Sequence, residues 1–568
     1  MAVQRFKLPL NNAAFPFVST EAPRAVFIPG LDVAPRAPRG FVAGNESADY
    51  DLTQIIYGEN FMPVGSGVRS VGYEEIIPGI SSIDFDSIFP LRDEDENVVL
   101  YSPGGGKNYV YNDTTSAWVS NTIPAIYSRS FAAGSDPLFS GVTYAYVDGF
   151  TFVCFSRLKS NDATPVDMSL LYWNSITKAL AQPGALISNL PFAAGTIDGI
   201  TSAAGYLIVW SGITIAWAPF NGTAFNFTSY ANGAFTGAGN QIPEDVQGTI
   251  RSIIPVSGGF IAFTNRNAVG ASYVANNLNA PWIFREIPDA GGLESYEQAT
   301  VEGSLGKVLA YTTVGMQSIS LNSTESVHVD LSDFIASREL EYYNSATRVV
   351  TQSLVSGDLY TKVTAVGNRY LVVSYGTIPK RYSYALVYDF VVQRWGKLVF
   401  NHVDCFYYNY GAENVPITYS MFLSTPYASL ATVPYANLVE TTNAFTSAPH
   451  ALAFLTEAGQ VIIADWSKQA RTTPDTGVLI IGRTQLSRSK FTQLNRVEIE
   501  GMGIGDVFVV PSYDGRTLAA AEQLGVITSV ADFKEYGSMV NCKNFNLIIQ
   551  GNFDLSTLIL EASPTGSM

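Results

Sequence analysis

The segment ALVYDFVVQRWGKL, residues 385–398, decides the fold because its pattern occurs twice earlier in the chain. Apolar residues lead to a tyrosine, an Asn or Asp follows one or two places on, and a bulky residue opens the next apolar run. The earlier copies are YVYNDTTSAWVS (109–120) and LLYWNSITKALAQ (170–182). An Asx side chain in that place accepts hydrogen bonds from the backbone two residues on and closes a turn. We therefore predict a repeated hairpin in which Asp389 shapes the turn.

The repeat assigns equivalent roles to two sets of residues. The tyrosines that end the first strand are Tyr111, Tyr172 and Tyr388, and the bulky residues expected to pack across the strand pair are Trp118, Leu180 and Trp395. Other hairpins surround these copies. The Asp148–Gly149 pair is the strongest short-range hairpin signal, and residues 205–227 give three strands joined at Gly212 and at Asn221–Gly222.

Short strands and Gly/Asn/Asp/Ser turns recur over most of the chain, in groups of two to four strands. This pattern predicts an all-β fold, namely an irregular β-propeller with long inter-blade loops plus a C-terminal antiparallel β-sandwich. We place the boundaries at 1–80 for an extended N-terminal arm or platform segment, 81–468 for the propeller and 469–568 for the sandwich. A string of β-sandwiches is the structural alternative.

Two segments have helical spacing instead. Residues 330–344 place apolar side chains on one helical face, and residues 518–524, LAAAEQL, form a weaker candidate. The apolar face of the first candidate consists of Leu331, Phe334, Ile335 and Leu340. Asp330 or Ser332 is expected to be its N-cap.

The composition excludes some functions. Only 14% of the residues are charged, the net charge is −16 and the pI is about 4.7. Such a surface repels phosphate backbones and provides no counterion release for gripping nucleic acid. It remains compatible with a protein that lets DNA pass without binding it.

The cysteines and histidines are too few and too scattered for most chemistry. Cys154, Cys405 and Cys542 show no CxxC spacing, so we expect buried, reduced thiols. The histidines are His328, His402 and His450, so a Ser-His-Asp triad has to use one of these three. We expect no metal and no cofactor.

No segment has the pattern of a signal peptide or a membrane span. Pro9 and two asparagines interrupt the N-terminal apolar run. Residues 199–243 carry no charge, yet Gly212 and Pro219 divide them into buried strands with turns. We therefore expect a protein that reaches its place by assembly or by release from the cell.

Three further motifs are weak. Residues 102–108, SPGGGKN, lack the first glycine of a phosphate loop and the hydroxyl after Lys107, so they predict a glycine hairpin. Residues 93–97, DEDEN, lack the glycine and glutamate of a calcium loop and predict a solvated acidic loop. Glu74–Glu75 and Asp389 are candidates for the paired carboxylates of a glycosidase, but nothing brings two acids to one cleft. Catalytic, cofactor-binding and metal-binding residues are therefore expected to be absent.

Several segments in order resemble tail hub, or nozzle, proteins of short-tailed bacteriophages. The N-terminal one is GENFMPVGSGVRSVGYEEIIPG (58–79), with a Gly-Tyr…Pro-Gly element before the propeller. Blade-like segments follow, including LVYDFVVQRWGKL and LTEAGQVIIADW, and the run LNRVEIEG…VPSYDGRT…FNLIIQG resembles the closing sandwich of that family. The motifs are short, and the resemblance rests on their order over residues 55–565.

This resemblance implies a structural virion protein of the phage tail rather than an enzyme. It implies a homo-oligomeric ring, a hexamer, below the portal and its adaptor, whose lumen conducts double-stranded DNA and whose rim holds spikes, fibres or a plug. The alternative comes from another class: a carbohydrate-binding or glycan-cleaving propeller that acts in receptor recognition.

Overall fold

The computed structural model describes residues 4–9, 55–64, 67–80, 85, 87–92, 98–104, 107–112, 115–121, 142–155, 170–192, 196–301, 306–336, 338–367, 369–408, 451–466, 477–484, 491–513, 519–527 and 532–565. Strands dominate these residues, as predicted. They form a ring of blades and one curled sheet.

The first five strands connect these two bodies. β1 (Gln4–Pro9) and β2 (Ile55–Glu59) pair with C-terminal strands, β3 (Phe61–Val64) and β4 (Gly67–Ser70) form a hairpin, and β5 (Gly72–Ile77) crosses to the ring. The described strands of the expected N-terminal arm are thus built into both bodies.

Within the described residues, seven groups of four antiparallel strands follow one another as blades; six of them are separate four-stranded sheets, and the remaining one, blade 6, is part of a 13-stranded sheet. Blades 1 and 2 consist of β6 (Phe89–Arg92), β7 (Val98–Gly104), β8 (Lys107–Asn112), β9 (Ala117–Asn121), β10 (Val142–Val147), β11 (Phe150–Phe155), β12 (Leu170–Asn174) and β13 (Ala179–Ala181). The glycine hairpin predicted over 102–108 is confirmed by the β7–β8 register, in which Gly104 faces Lys107. The Asp148–Gly149 turn is also confirmed, since both residues have positive φ, 47° and 82°.

Blade 3 carries an insertion between its third and fourth strands. The region contains a 3₁₀ turn (Gly184–Leu186), β14 (Ile187–Ser188), β15 (Gly199–Ala203), β16 (Tyr206–Ser211), β17 (Thr214–Pro219), β18 (Phe225–Asn226), β19 (Tyr230–Ala231), β20 (Ala234–Phe235) and β21 (Gly239–Gln241). The blade is β15-β16-β17-β21, so β21, and not the segment after Asn221–Gly222, completes it. That segment, β18, pairs in parallel with β14, and β19 and β20 form a separate small hairpin.

Blades 4 and 5 follow without insertions. They consist of β22 (Ile250–Val256), β23 (Gly259–Thr264), β24 (Asn267–Tyr273), β25 (Trp282–Gly291), a 3₁₀ turn (Tyr296–Gln298), β26 (Ala299–Val301), β27 (Val308–Thr312), β28 (Gly315–Ile319) and β29 (Thr324–Ser326).

The helix predicted over 330–344 is half right. The helix α1 spans Val329–Ala336 and buries Leu331 and Ile335, but the following residues form a hairpin of β30 (Glu339–Asn344) and β31 (Val349–Leu354). Asp330 and Ser332 both lie inside α1 and are therefore not its N-caps. The Ser332 Oγ instead accepts a hydrogen bond from Met316 N–H at 2.8 Å and ties α1 to β28. Strand pairing overrides helical spacing in the second half.

Blade 7 closes the ring with a strand from the N-terminal region. Blades 6 and 7 consist of β32 (Tyr360–Val366), β33 (Tyr370–Gly376), β34 (Tyr382–Asp389), β35 (Arg394–His402), β36 (Asp404–Tyr408), β37 (Ala451–Leu455), β38 (Val461–Asp465) and β5. Because β5 lies far from β38 in sequence, their pairing closes the ring with a contact between distant parts of the chain. It also covers the free edge of β38 with a partner strand.

Each pair of neighbouring blades shares an apolar cluster, and this includes the closing pair. Blade 7 meets blade 1 through Phe406, Leu455, Ile88 and Trp118, all of which are buried. Trp118 Nε1–H also donates to the Gly459 carbonyl of blade 7 at 2.9 Å. The propeller predicted from sequence is therefore a closed ring of seven blades among the described residues.

The hairpin repeat is confirmed at atomic level. In each copy the Asx oxygen accepts backbone N–H bonds two or three residues on, and the residue four places on has a φ near +50°. The Asx residues and their left-handed partners are Asn112 with Ser116, Asn174 with Lys178, and Asp389 with Gln393. The β30–β31 hairpin is a further copy, built on Asn344 and Arg348.

One assignment within the repeat is wrong. Tyr111 faces Trp118 and Tyr388 faces Trp395, with ring centroids 5.6 and 5.1 Å apart, as expected. In the middle copy, however, Leu180 faces Trp173 and not Tyr172. The Asx residue sets the register, and Trp173 is the residue directly before it.

The C-terminal strands form a curled sheet that packs on itself. They are β39 (Gly477–Thr484), β40 (Phe491–Ser512), β41 (Glu522–Ile527), β42 (Asp532–Cys542) and β43 (Asn544–Thr565). The two 22-residue strands β40 and β43 pair along their length, and β42 and β41 continue the sheet beyond β40. The helix predicted over 518–524 is wrong, because its described part enters β41.

The ring and the curled sheet are one continuous sheet at blade 6. The strand order runs β2-β39-β43-β4-β3-β35-β34-β33-β32. A Cβ at Gly396 would collide with Met62 Sδ and the Phe61 carbonyl, so only glycine lets β3 approach β35 this closely. Arg69 adds a clamp, since its guanidinium bonds Asp554 of β43 at 2.5 Å and the Trp466 carbonyl beside blade 7 at 2.8 Å.

Candidate functional site

A group of buried charges lies where blades 5, 6 and 7 meet. Glu297 belongs to the 3₁₀ turn before β26, Lys362 lies on β32 and Asp404 opens β36, so each comes from the innermost part of its blade. All three are less than 10% exposed. We call Glu297, Lys362 and Asp404 the buried triad.

Lys362 joins the two acids. Its Nζ lies 2.7 Å from Asp404 Oδ1 and 3.4 Å from Glu297 Oε1. The other Asp404 oxygen accepts the Ile88 N–H of blade 1 at 3.1 Å, and the other Glu297 oxygen accepts the Tyr382 hydroxyl at 3.0 Å. The triad therefore connects blades 5, 6 and 7 with the start of blade 1.

Local sequence explains how Glu297 is held. Ser295 caps the 3₁₀ turn, and its side chain accepts the Glu297 N–H while Gln298 Oε1 accepts the Ser295 N–H at 3.0 Å. This reciprocal capping box satisfies the orphan donors of the turn. Gln298 Nε2 also donates to Thr361 Oγ1 at 2.9 Å, so blade 6 fixes the turn from the other side.

The pKa shifts follow from burial and charge. Burial opposes ionisation of Glu297, but Lys362, Lys380 and the hydroxyl of Tyr382 outweigh it and lower the pKa of that carboxyl. For Lys362, burial is likewise outweighed by Asp404 and Glu297, which raise the pKa of the amine. Burial raises the pKa of Asp404, and Lys362 opposes this. A lysine held charged in this way is a structural cation and not an amine nucleophile.

A serine and a histidine pair beside the triad. His402 Nε2 lies 2.8 Å from Ser374 Oγ, and its Nδ1 lies 3.0 Å from the Phe400 carbonyl. These contacts assign the Nδ1–H tautomer, and burial lowers the pKa of His402 to about 4, so the ring is neutral. Both side chains are at most 2% exposed and Nδ1 faces a carbonyl and not a carboxylate, which is unlike a catalytic triad.

Asp389 has the predicted turn role and one partner that was not predicted. Its Oδ1 accepts the Val391 N–H at 2.8 Å, and its Oδ2 accepts Arg369 Nε and Nη2 at 3.1 and 2.9 Å. Asp389 is fully buried, whereas Glu74 and Glu75 are exposed on β5, the outermost strand of blade 7. The structure does not bring these three acids together as a glycosidase pair.

The remaining candidate residues have structural surroundings. The three cysteines are free and buried, as predicted, and burial raises the pKa of each thiol. His328 packs against the rings of both Tyr388 and Trp395, with centroids 5.0 and 5.3 Å away, and burial lowers its pKa to about 4. Residues 93–97 and His450 lie outside the described residues.

Sequence reasoning missed the buried triad. A signal existed, because Lys362 stands alone in the apolar strand YTKVTAV and Asp404 opens the aromatic strand DCFYY. A lone charge in a buried strand needs an opposite partner. Among the described residues, no group of His, Cys, Asp or Glu has the arrangement of a metal site, and no helix is long and apolar enough to cross a membrane.

The fold and site define a seven-bladed propeller fused to a curled β-sheet, with a buried ionic junction. No family model matches the chain, and no curated protein matches it. Among solved structures, it is similar to the extracellular domain of the putative one component system BT4673 from B. thetaiotaomicron, with 10% identity, a TM-score of 0.38 and coverage of 90% of this chain and 62% of that one.

YCF48 from Cyanidioschyzon merolae also matches, with 10% identity and a TM-score of 0.33 over 69% of this chain and 98% of that one. The chain spans about three fifths of the length of the BT4673 domain. Both TM-scores lie below 0.5, so neither similarity indicates a function for this chain.

Proposed function

We propose that this chain is a structural virion protein that forms the nozzle or hub ring of a short phage tail. In this role it lies below the portal and adaptor, conducts DNA during ejection and anchors spikes or fibres. The observation that carries the proposal is the continuous sheet from blade 6 into the curled sheet. Domains joined by a linker move relative to one another, whereas strand pairing and the Arg69 clamp hold these two bodies together.

Two further observations support a conduit. The net charge of −16 leaves no overall attraction for phosphate, so DNA can slide past without being held. The N-terminal segment of the family resemblance, residues 58–79, corresponds to the strands that lead from the curled sheet into the last blade. Its strands pair both with the curled sheet and with the last blade, so the segment joins the two bodies.

The test is the shape and mass of the purified chain. We expect native mass spectrometry and negative-stain images to show sixfold rings. We also expect duplex DNA to bind the protein only weakly at every salt concentration. A monomer that releases reducing sugar from a glycan would overturn the proposal. The alternative class is a carbohydrate-binding or glycan-cleaving propeller. Exposed aromatic residues on blade 3 favour carbohydrate binding over glycan cleavage.

A further inference from the structure

Two neighbouring segments of the ring carry no charge. Residues 199–243 and 267–284 contain no Asp, Glu, Lys, Arg or His, although 14% of the chain is charged. They form blade 3 and the facing strand β24 with the start of β25 in blade 4, and they share one core through Trp210, Trp217 and Trp282. A protein of net charge −16 thus keeps these two segments neutral, while the charged residues Asp245 and Glu286 lie just outside them at the same junction.

Aromatic rings are exposed in this region. The hairpin of β19 and β20 presents Tyr230 and Phe235, which are 55% and 45% exposed. Their rings pack edge to face with centroids 5.2 Å apart. The turn is tight, with φ of 51° at Asn232 and 81° at Gly233, so the backbone of the two short strands that carry the rings is fixed.

The hairpin continues into a second group of rings. A Cβ at Gly237, two residues after Phe235, would lie 3.2 Å from the Tyr206 hydroxyl and 3.3 Å from Leu278 Cδ2. Leu278 is 51% exposed, and Tyr273 is 37% exposed with its ring 5.8 Å from that of Tyr206. We call Tyr230, Phe235, Tyr273 and Leu278 the blade 3–4 aromatic surface.

We propose that the blade 3–4 aromatic surface binds a neutral polysaccharide. Sugar rings present apolar C–H faces that stack on exposed aromatics, and their hydroxyls bond neutral amides such as those of Asn276 and Asn277 in the adjoining loop. An uncharged surface offers an ion pair to no anionic ligand.

The composition argues against a protein partner on this surface. Protein interfaces are enriched in Arg and Met beside aromatics, and neither residue occurs in 199–243 or 267–284.

The test is affinity electrophoresis of the full chain in native gels that contain mannan, dextran or galactomannan, followed by calorimetry with maltoheptaose, cellohexaose and mannohexaose. We expect retardation by at least one neutral polymer. Tyr230→Ala should weaken binding about tenfold, as expected for the loss of one stacking ring, and Tyr230→Phe should retain it. Tyr513→Ala, at a tyrosine of similar exposure (52%) in the curled sheet, is the matched control and should bind like the parent.

Three outcomes would overturn the inference. The first is the absence of retardation by every neutral polymer, and the second is equal retardation by anionic heparin or polygalacturonate. The third is a change in particle mass for Tyr230→Ala or Phe235→Ala, which would make the surface a contact between copies. Leu278→Gln, at an exposed position, tests glycan binding by the same surface without removing a ring. Unchanged melting temperatures exclude misfolding of the variants. None of these outcomes depends on whether the chain forms a tail ring.

Discussion

Blades 3 and 6 use the same four-stranded unit in opposite ways. Blade 3 contacts its neighbours through uncharged clusters, and its fourth strand, β21, ends the sheet. Blade 6 holds Lys362 and His402 in its interior, and its fourth strand, β35, continues into the curled sheet. The difference shows that uncharged contacts between blades suffice to build the ring at blade 3, whereas buried charged groups concentrate where the ring closes and joins another body.

The largest effect should come from removing the cation of the buried triad. Lys362→Met leaves Glu297 and Asp404 buried without their shared counter-charge, which costs about 3–5 kcal/mol of unfolding free energy. Thr201→Val, at a buried polar position on the innermost strand of blade 3, is the matched control and should cost less than about 1 kcal/mol. Urea titration measures both.

A triple variant sharpens this prediction. Lys362→Met combined with Glu297→Gln and Asp404→Asn removes every charge of the triad, and we expect it to recover much of the loss. If Lys362→Met is as stable as Thr201→Val, then the buried charges do not distinguish blade 6 from blade 3.

The second effect concerns the junction of the two bodies. Gly396→Ala places a methyl group against Met62 and the Phe61 carbonyl, and we expect a loss of about 2–3 kcal/mol. Hydrogen exchange should show loosened amides in β3 and β4. Gly199→Ala in blade 3 also meets a neighbour, the ring of Trp210, but should leave β3 and β4 protected. Equal loosening of β3 and β4 by both variants would contradict the assigned junction.

The third effect is a pH dependence located at blade 6. The folded-state pKa of His402 is about 4, below its ordinary value of 6.5, so the unfolded chain binds the proton more readily. The stabilisation is complete above pH 6.5 and is lost as the pH falls towards 4. Between pH 7 and pH 5 this contributes a loss of about 2 kcal/mol.

His402→Gln isolates this contribution. The variant should lose about 2 kcal/mol less than the parent between those two pH values, while His328, whose pKa is also about 4, continues to titrate in both. Asp404 and Glu297 titrate in both proteins as well, so they cancel in the difference. Urea titrations at the two pH values provide the measurement, and parallel losses would rule out burial of His402 as a source of acid sensitivity.

The sequence predicted the elements that local bonds determine. The hairpins at Asn112, Asn174 and Asp389 follow from Asx side chains that bond the backbone two or three residues on, and a window of 14 residues contains the whole interaction. The fold class followed from their recurrence. The helix prediction failed over residues 339–344, because pairing with β31 holds these residues in a strand despite their helical spacing.

Non-local pairings could not be predicted in this way. The seventh blade borrows β5 from the N-terminal region, so counting strands along the chain does not give the blade number. The buried triad unites Glu297, Lys362 and Asp404 from three blades, and no spacing rule connects them. Only the lone charges in apolar strands indicated that partners must exist.

The smallest effect tests the residue with which the repeat was recognised. Asp389→Ala removes two backbone bonds of the turn, worth about 1 kcal/mol, and the ion pair with Arg369, which is 31% exposed and can turn to water. We expect a total loss of about 1–2 kcal/mol by urea titration. Asn174→Ala, in the equivalent turn of blade 2 without an ion pair, should cost about 1 kcal/mol, and Asp389→Asn should lie between parent and Asp389→Ala because it keeps the turn bonds. A loss of ring assembly or of glycan binding by Asp389→Ala at unchanged stability would instead make Asp389 a functional carboxylate, and the turn would be incidental to it.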